Sequence, residues 1–192
     1  IAGAIFGVEV LVVGGIMYET LLPSLISGVT AFQFARYLGL NYQMFPKIEV
    51  PVFTEPFFLE VAAAGVLFGL CSFLLIDVLN KIHKISRRIT WWAPLKGLAG
   101  GVLLVLLAAI FSTDYLGLGL DTIHSALSGA RIVWYAFLIK IVATSITLSF
   151  GGSGGILTPI LFIGATAGAA MGHWWGVDSA LFASIGMVSV LA

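Results

Sequence analysis

The groups best placed to do chemistry in this chain are backbone atoms. They lie in the stretch Ser149-Phe-Gly-Gly-Ser-Gly-Gly-Ile-Leu-Thr-Pro-Ile160. Glycine relaxes the backbone and lets it approach a ligand closely. Pro159 suits the first turn of a helix, where its missing N–H is not needed. The N–H groups of Ile156, Leu157 and Thr158 are therefore expected to stand unsatisfied at a helix start. The partial positive charge of such a start favours an anion. At membrane depth, open backbone is tolerated only where it lines a cavity or is buried in protein. The chemistry expected is reversible binding of a small anion by peptide dipoles, with no side-chain cation required. The same glycines would also suit a flexible external loop between two spans, and glycine content alone does not separate the two. No Gly-Lys-Ser or Gly-Lys-Thr follows, which argues against a phosphate-binding P-loop.

Composition sets the solvent in which this chemistry takes place. The chain has 192 residues, of which 60% are hydrophobic and 9% charged, and its mean hydropathy is +1.11. Soluble domains carry about 25% charged residues, so the chain reads as an integral membrane protein with the lipid bilayer as its partner. Net charge is zero and no basic stripe exists, which leaves no footprint for nucleic acid. The single cysteine, Cys71, sits in an apolar run and reads as a small buried residue. Glu9, Asp77 and His124 fall in different segments, so no carboxylate and histidine cluster of an intramembrane enzyme is evident and none of them is assigned a catalytic role. His83, His124 and His173 stand apart, without metal-ligand spacing. No cofactor is expected. The chain opens on Ile1 inside an apolar run and closes on Ala192 inside another. The expectation is one transmembrane domain over 1–192, the central part of a longer protein cut at both ends.

Helices must position the glycine stretch. Ile1–Val13 reads as a short apolar helix carrying Glu9, an expensive group at membrane depth and so a functional candidate; a structural carboxyl near the aqueous end is the alternative. Ile16–Tyr37 is a span in which Pro23 predicts a kink or boundary. Gly39–Pro56 reads as a connection, with Ile48–Phe53 extended. Phe57–Asn80 is a long apolar helix running into a turn that bears Lys81, Lys84, Arg87 and Arg88, placed in the cytoplasm by the positive-inside tendency. Trp91 and Trp92 suit the membrane interface. Leu95–Phe111 is a further span, and Ser112–Gly129 an external turn with a short helix. Arg131–Leu148 reads as a span in which Lys140 either snorkels or lines an aqueous crevice. Ile160–Trp175 carries Gly164, Gly168 and Gly172 on one face for tight packing, and a last segment follows Asp178.

At the glycine stretch the chain resembles the CLC family of chloride channels and chloride/proton antiporters. The family signature Gly-Gly-x-Phe-x-Pro reads here Gly154-Gly155-Ile156-Leu157-Thr158-Pro159, preceded by Gly151-Gly152-Ser153. Ile1-Ala-Gly-Ala-Ile-Phe-Gly-Val-Glu9 is similar to the family's Leu-Ala-Gly-x-Leu-Phe-x-x-Glu helix. Tyr115-Leu-Gly-Leu-Gly119, followed by Lys140-Ile-Val-Ala-Thr144, is a third match in family order. The resemblance implies an all-α polytopic membrane protein, a bundle of tilted and broken transmembrane helices. It implies transport of chloride, with proton-coupled fluoride export as the alternative, by a homodimer with one pore per subunit in a bacterial inner membrane. Anion-binding residues would be Gly155, Ile156, Leu157 and Thr158, supported by Ser153, Gly154 and Pro159, with Glu9, Val10 and Lys140 on a candidate ion or proton path. There are two departures from the family pattern. Leu157 replaces the usual Phe, which changes an apolar wall but not an N–H donor. Val10 stands where many antiporters carry a second glutamate; channel members commonly carry valine, and a fluoride-exporting branch also lacks that carboxyl.

Overall fold

A computed structural model of the chain describes residues 18–40 and 55–191. Within them every regular element is helical, and no strand occurs among the described residues. The chain forms two compact units, residues 1–44 and 45–192. The expected helix at Ile1–Val13, the extended piece at Ile48–Phe53, and Glu9 and Val10 lie outside the described residues.

In the first unit, helix α1 (Tyr18–Tyr37) continues without a break through Pro23. Pro23 is therefore not an element boundary. Proline removes only the one ladder bond to the carbonyl four residues before it, and the apolar stretch on either side keeps the helix running.

The second unit opens with α2 (Glu55–Arg88), 34 residues long. Ala64, Phe68, Cys71 and Leu75 recur on one face and are buried, the stripe a helix needs to dock on a core. The helix does not end at Asn80: Lys81, Lys84, Arg87 and Arg88 occupy its last turns instead of a connecting turn. Lys81 pairs with Asp77 one turn earlier at 2.6 Å, and cations are favourable at a helix C-terminus. Helix α3 (Ala93–Ile110) starts with Pro94 in its first turn and buries only Gly100. Both α2 and α3 are long and apolar enough to cross a membrane.

A short 3-10 turn (Thr113–Tyr115) and α4 (Leu120–Leu127) form the connection, with the short helix that was expected there. Helix α5 (Ala136–Ser149) is shorter than the expected span by the residues Arg131–Tyr135. Gly129, with φ +74°, ends the preceding turn, and the residues after it are spent on the connection; apolar connection and apolar helix look alike in composition. Helix α6 (Leu157–Trp175) is the centre of the unit, buried continuously from Phe162 to Met171 and on to Gly172. Its two sides serve two clusters: Ile163, Ala167 and Met171 meet Phe68 and Phe182, while Phe162, Ala165 and Ala169 meet Tyr115, Ile123 and Ile139. Gly176, at φ +71°, closes α6, and the Asp178 carboxylate accepts from the Ala180 N–H at 2.8 Å as the cap of α7 (Ser179–Leu191).

Helices α6 and α7 meet backbone to backbone, as the glycine spacing predicts. A Cβ on Gly168 would fall on the Phe182 carbonyl, one on Gly164 on the Gly186 carbonyl, and one on Gly172 would lie 2.6 Å from Ser179 Cα. On α3 the close approach is at Gly100, where a Cβ would stand 2.5 Å from Phe150 Cβ, while Gly101 faces open space.

Candidate anion site at a helix break

Helix α5 stops where its sequence runs out of helix formers. Phe150 N–H still reaches the Ile146 carbonyl, and Gly152 N–H reaches Thr147 at 2.8 Å. Gly151 adopts φ +94°, a conformation that costs a side-chain-bearing residue roughly 1–2 kcal/mol. Gly152 has no room for a side chain either, since a Cβ there would lie 2.7 Å from the Thr147 carbonyl oxygen. The chain then crosses Ser153, Gly154 and Gly155 without regular structure, and α6 begins after Ile156.

The first N–H groups of α6 are open. Ile160 N–H is bonded back to the Ile156 carbonyl, but the amides of Ile156, Leu157 and Thr158 find no acceptor within the described residues, and no side chain caps the helix. Pro159 stands in the first turn and is buried. Around Gly154 and Gly155 an added Cβ would meet nothing within 4 Å, so these two glycines leave room and do not fill it.

That room is part of a cavity of about 370 Å3. Ser153, Gly154, Gly155 and Pro159 form one wall; Lys140, Thr144 and the Tyr115–Leu118 turn form the other. Lys140 thus joins the glycine stretch at one cavity, as a lysine lining a crevice would. It does not snorkel. Its residue is 2% exposed, its Nζ donates to the carbonyls of Gly117 at 2.7 Å and Tyr115 at 3.1 Å, and it lies 4.7 Å from the Phe162 ring centroid. Buried charge is tolerated where hydrogen bonds satisfy it, and the outward carbonyls of the turn supply them. Gly119, at φ +70°, makes this possible: a Cβ there would lie 2.5 Å from the Phe162 ring.

Ile156, Leu157 and Thr158 are not among the residues that line this cavity, and Ile156 is 41% exposed. The hydroxyl of Thr158 has no partner among the described residues. Thr144 and Thr147 were not among the expected site residues. The signal was present, since Lys140, Thr144 and Thr147 recur at helical spacing and put polar groups on one face of α5. His173, expected to stand alone, accepts a hydrogen bond from Arg131. Among the described residues no group of three histidine, cysteine or acidic side chains could hold a metal.

A chain of apolar helices, interrupted at a glycine-rich break with free amides, defines a polytopic helical membrane protein. A family model described as "Voltage gated chloride channel" matches residues 1–192, and the chain belongs to that family. It is 31% identical over 199 residues to a "Chloride/fluoride channel protein" of Pseudomonas syringae pv. tomato, covering 100% of this chain and 44% of that protein. It is 31% identical over 183 residues to a "Voltage-gated ClC-type chloride channel ClcB" of Escherichia coli, covering 92% of this chain and 43% of the relative. The crystal structure of a CLC-type fluoride/proton antiporter superposes with a TM-score of 0.84 at 30% identity, covering 97% of this chain and 47% of that one. The chain thus spans less than half the length of the relatives it matches.

Proposed function

We propose that the protein carries small inorganic anions across a membrane, with chloride or fluoride as its substrate, using backbone amides at the start of α6 to replace part of the ion's hydration. The carrying observation is that three consecutive amides, Ile156 to Thr158, are unpartnered where two helices break. Helix length supports a position at membrane depth. With 14 residues, α5 is about 21 Å long, short of the ~30 Å hydrocarbon core. If it starts at the interfacial Trp134 and Tyr135, it ends past the bilayer midplane, towards the basic end of α2 to which Ser86 ties it. Dehydration against several weak sites lets an ion enter and leave again. Gly155 gives the ion clearance, and Lys140 holds positive charge in the cavity that Gly154 and Gly155 border.

The fluoride reading has its own support, since both the Pseudomonas relative and the superposed antiporter carry fluoride in their names. The family and these names support transport across a membrane; a bacterial inner membrane and a homodimer complete the reading proposed here. The test is reconstitution of the intact protein in liposomes loaded with chloride or fluoride, following anion efflux and pH together. Anion efflux with uphill proton movement marks an exchanger; efflux without it marks a channel. Efflux of neither anion would refute the proposal.

A further inference from the structure

A second cavity of about 370 Å3 lies at the other end of α5 and α6, with Arg131, Trp134, Ala170, His173 and Trp174 in its walls. Arg131 Nε lies 3.1 Å from His173 Nε2. A guanidinium keeps its protons in a protein, so Nε donates and Nε2 accepts. This bond uses the inner N–H of Arg131 and leaves the outer two nitrogens free. Asp77–Lys81 is the single cation–carboxylate pair among the described residues, and Arg131 has no acidic partner among them. A planar fork of free N–H groups matches two oxygens of a phosphate.

The rest of the cavity suits the lipid side of such a phosphate. Trp134 and Trp174 lie 6.4 Å apart with rings tilted at 40°, and they are 52% and 63% exposed. Tyr135 packs on Trp134 at 5.7 Å. Aromatic rings with a polar edge, gathered where two apolar helices end, are the composition of the membrane–water boundary. Ile132 and Val133 add apolar wall.

We infer that this cavity binds the headgroup of an anionic phospholipid, with Arg131 on the non-bridging phosphate oxygens and the two indoles flanking the glycerol. His173 is a positioning residue that holds the guanidinium plane. A monatomic anion gains nothing from a planar fork, and the cavity lies a full helix length from the glycine break.

The test uses the full-length protein in neutral detergent, with lipid retention read by native mass spectrometry. Phosphatidylglycerol and phosphatidylcholine with the same acyl chains are the probes, and inorganic phosphate is a third arm. Phosphatidylglycerol is expected to be held roughly tenfold more tightly than phosphatidylcholine, a preference lost in Arg131→Gln. Arg131→Lys, which keeps charge without the fork, retains an intermediate preference and serves where the first variant does not fold. Equal retention of the two lipids, or a preference unchanged in Arg131→Gln, overturns the proposal. Inorganic phosphate held as tightly as phosphatidylglycerol overturns it too, as a site for the free ion.

Discussion

Gly155 and Gly168 are the same residue under opposite constraints. Around Gly155 there is open space, whereas a Cβ on Gly168 meets backbone. Gly155→Ala is therefore expected to leave thermal stability within about 0.5 kcal/mol while weakening anion binding several-fold, read by isothermal titration of the intact protein. Gly168→Ala should cost about 2–3 kcal/mol through overpacking, read as a lower unfolding midpoint. Lys140→Met would strand the carbonyls of Tyr115 and Gly117; each unpaired buried acceptor costs about 1–3 kcal/mol, so the midpoint should fall clearly. The role of Lys140 was only half legible in the sequence. Its partners are carbonyls 25 and 23 residues away, and a carbonyl leaves no mark in residue identity.

At the scale of elements, small residues announce close contact but not which of them makes it. On α3, Gly97 and Gly101 stand four residues apart, yet Gly100 meets Phe150 while Gly101 faces open space. Gly101→Ala should be neutral or stabilising by up to about 1 kcal/mol from helix propensity, and Gly100→Ala destabilising; parallel melting curves decide it. The break between α5 and α6, the α6–α7 seam and the short α4 were all legible, because glycine, proline and apolar periodicity report them directly. The start of α5 was not, since the stretch 132–135 runs into the helix with no glycine or proline to mark the boundary. The cations of α2 read as a turn because charge marks the edge of a membrane without saying whether the helix stops there.

For the whole molecule, the sidedness of the second unit follows from α2. Its basic end should face the cytoplasm, and the Ser86 hydroxyl donates to the Ser149 carbonyl, which brings that end to the glycine break. A cysteine at exposed Lys84 should react with an impermeant thiol reagent only from inside, and one at exposed Ser128 only from outside. Cys71, 5% exposed, should stay silent. Labelling from the same side would refute this topology.

The Ser86–Ser149 bond has a mechanical meaning. Helix α2 has 34 residues and is about 51 Å long, well beyond the ~30 Å of a hydrocarbon core, so it accommodates bilayer thickness by tilting. On a lever of that length, two degrees of tilt displace the far end by about 1.8 Å, on the order of a hydrogen-bond length. A change in membrane thickness that tilted α2 would therefore be felt at the Ser149 carbonyl, where α5 ends.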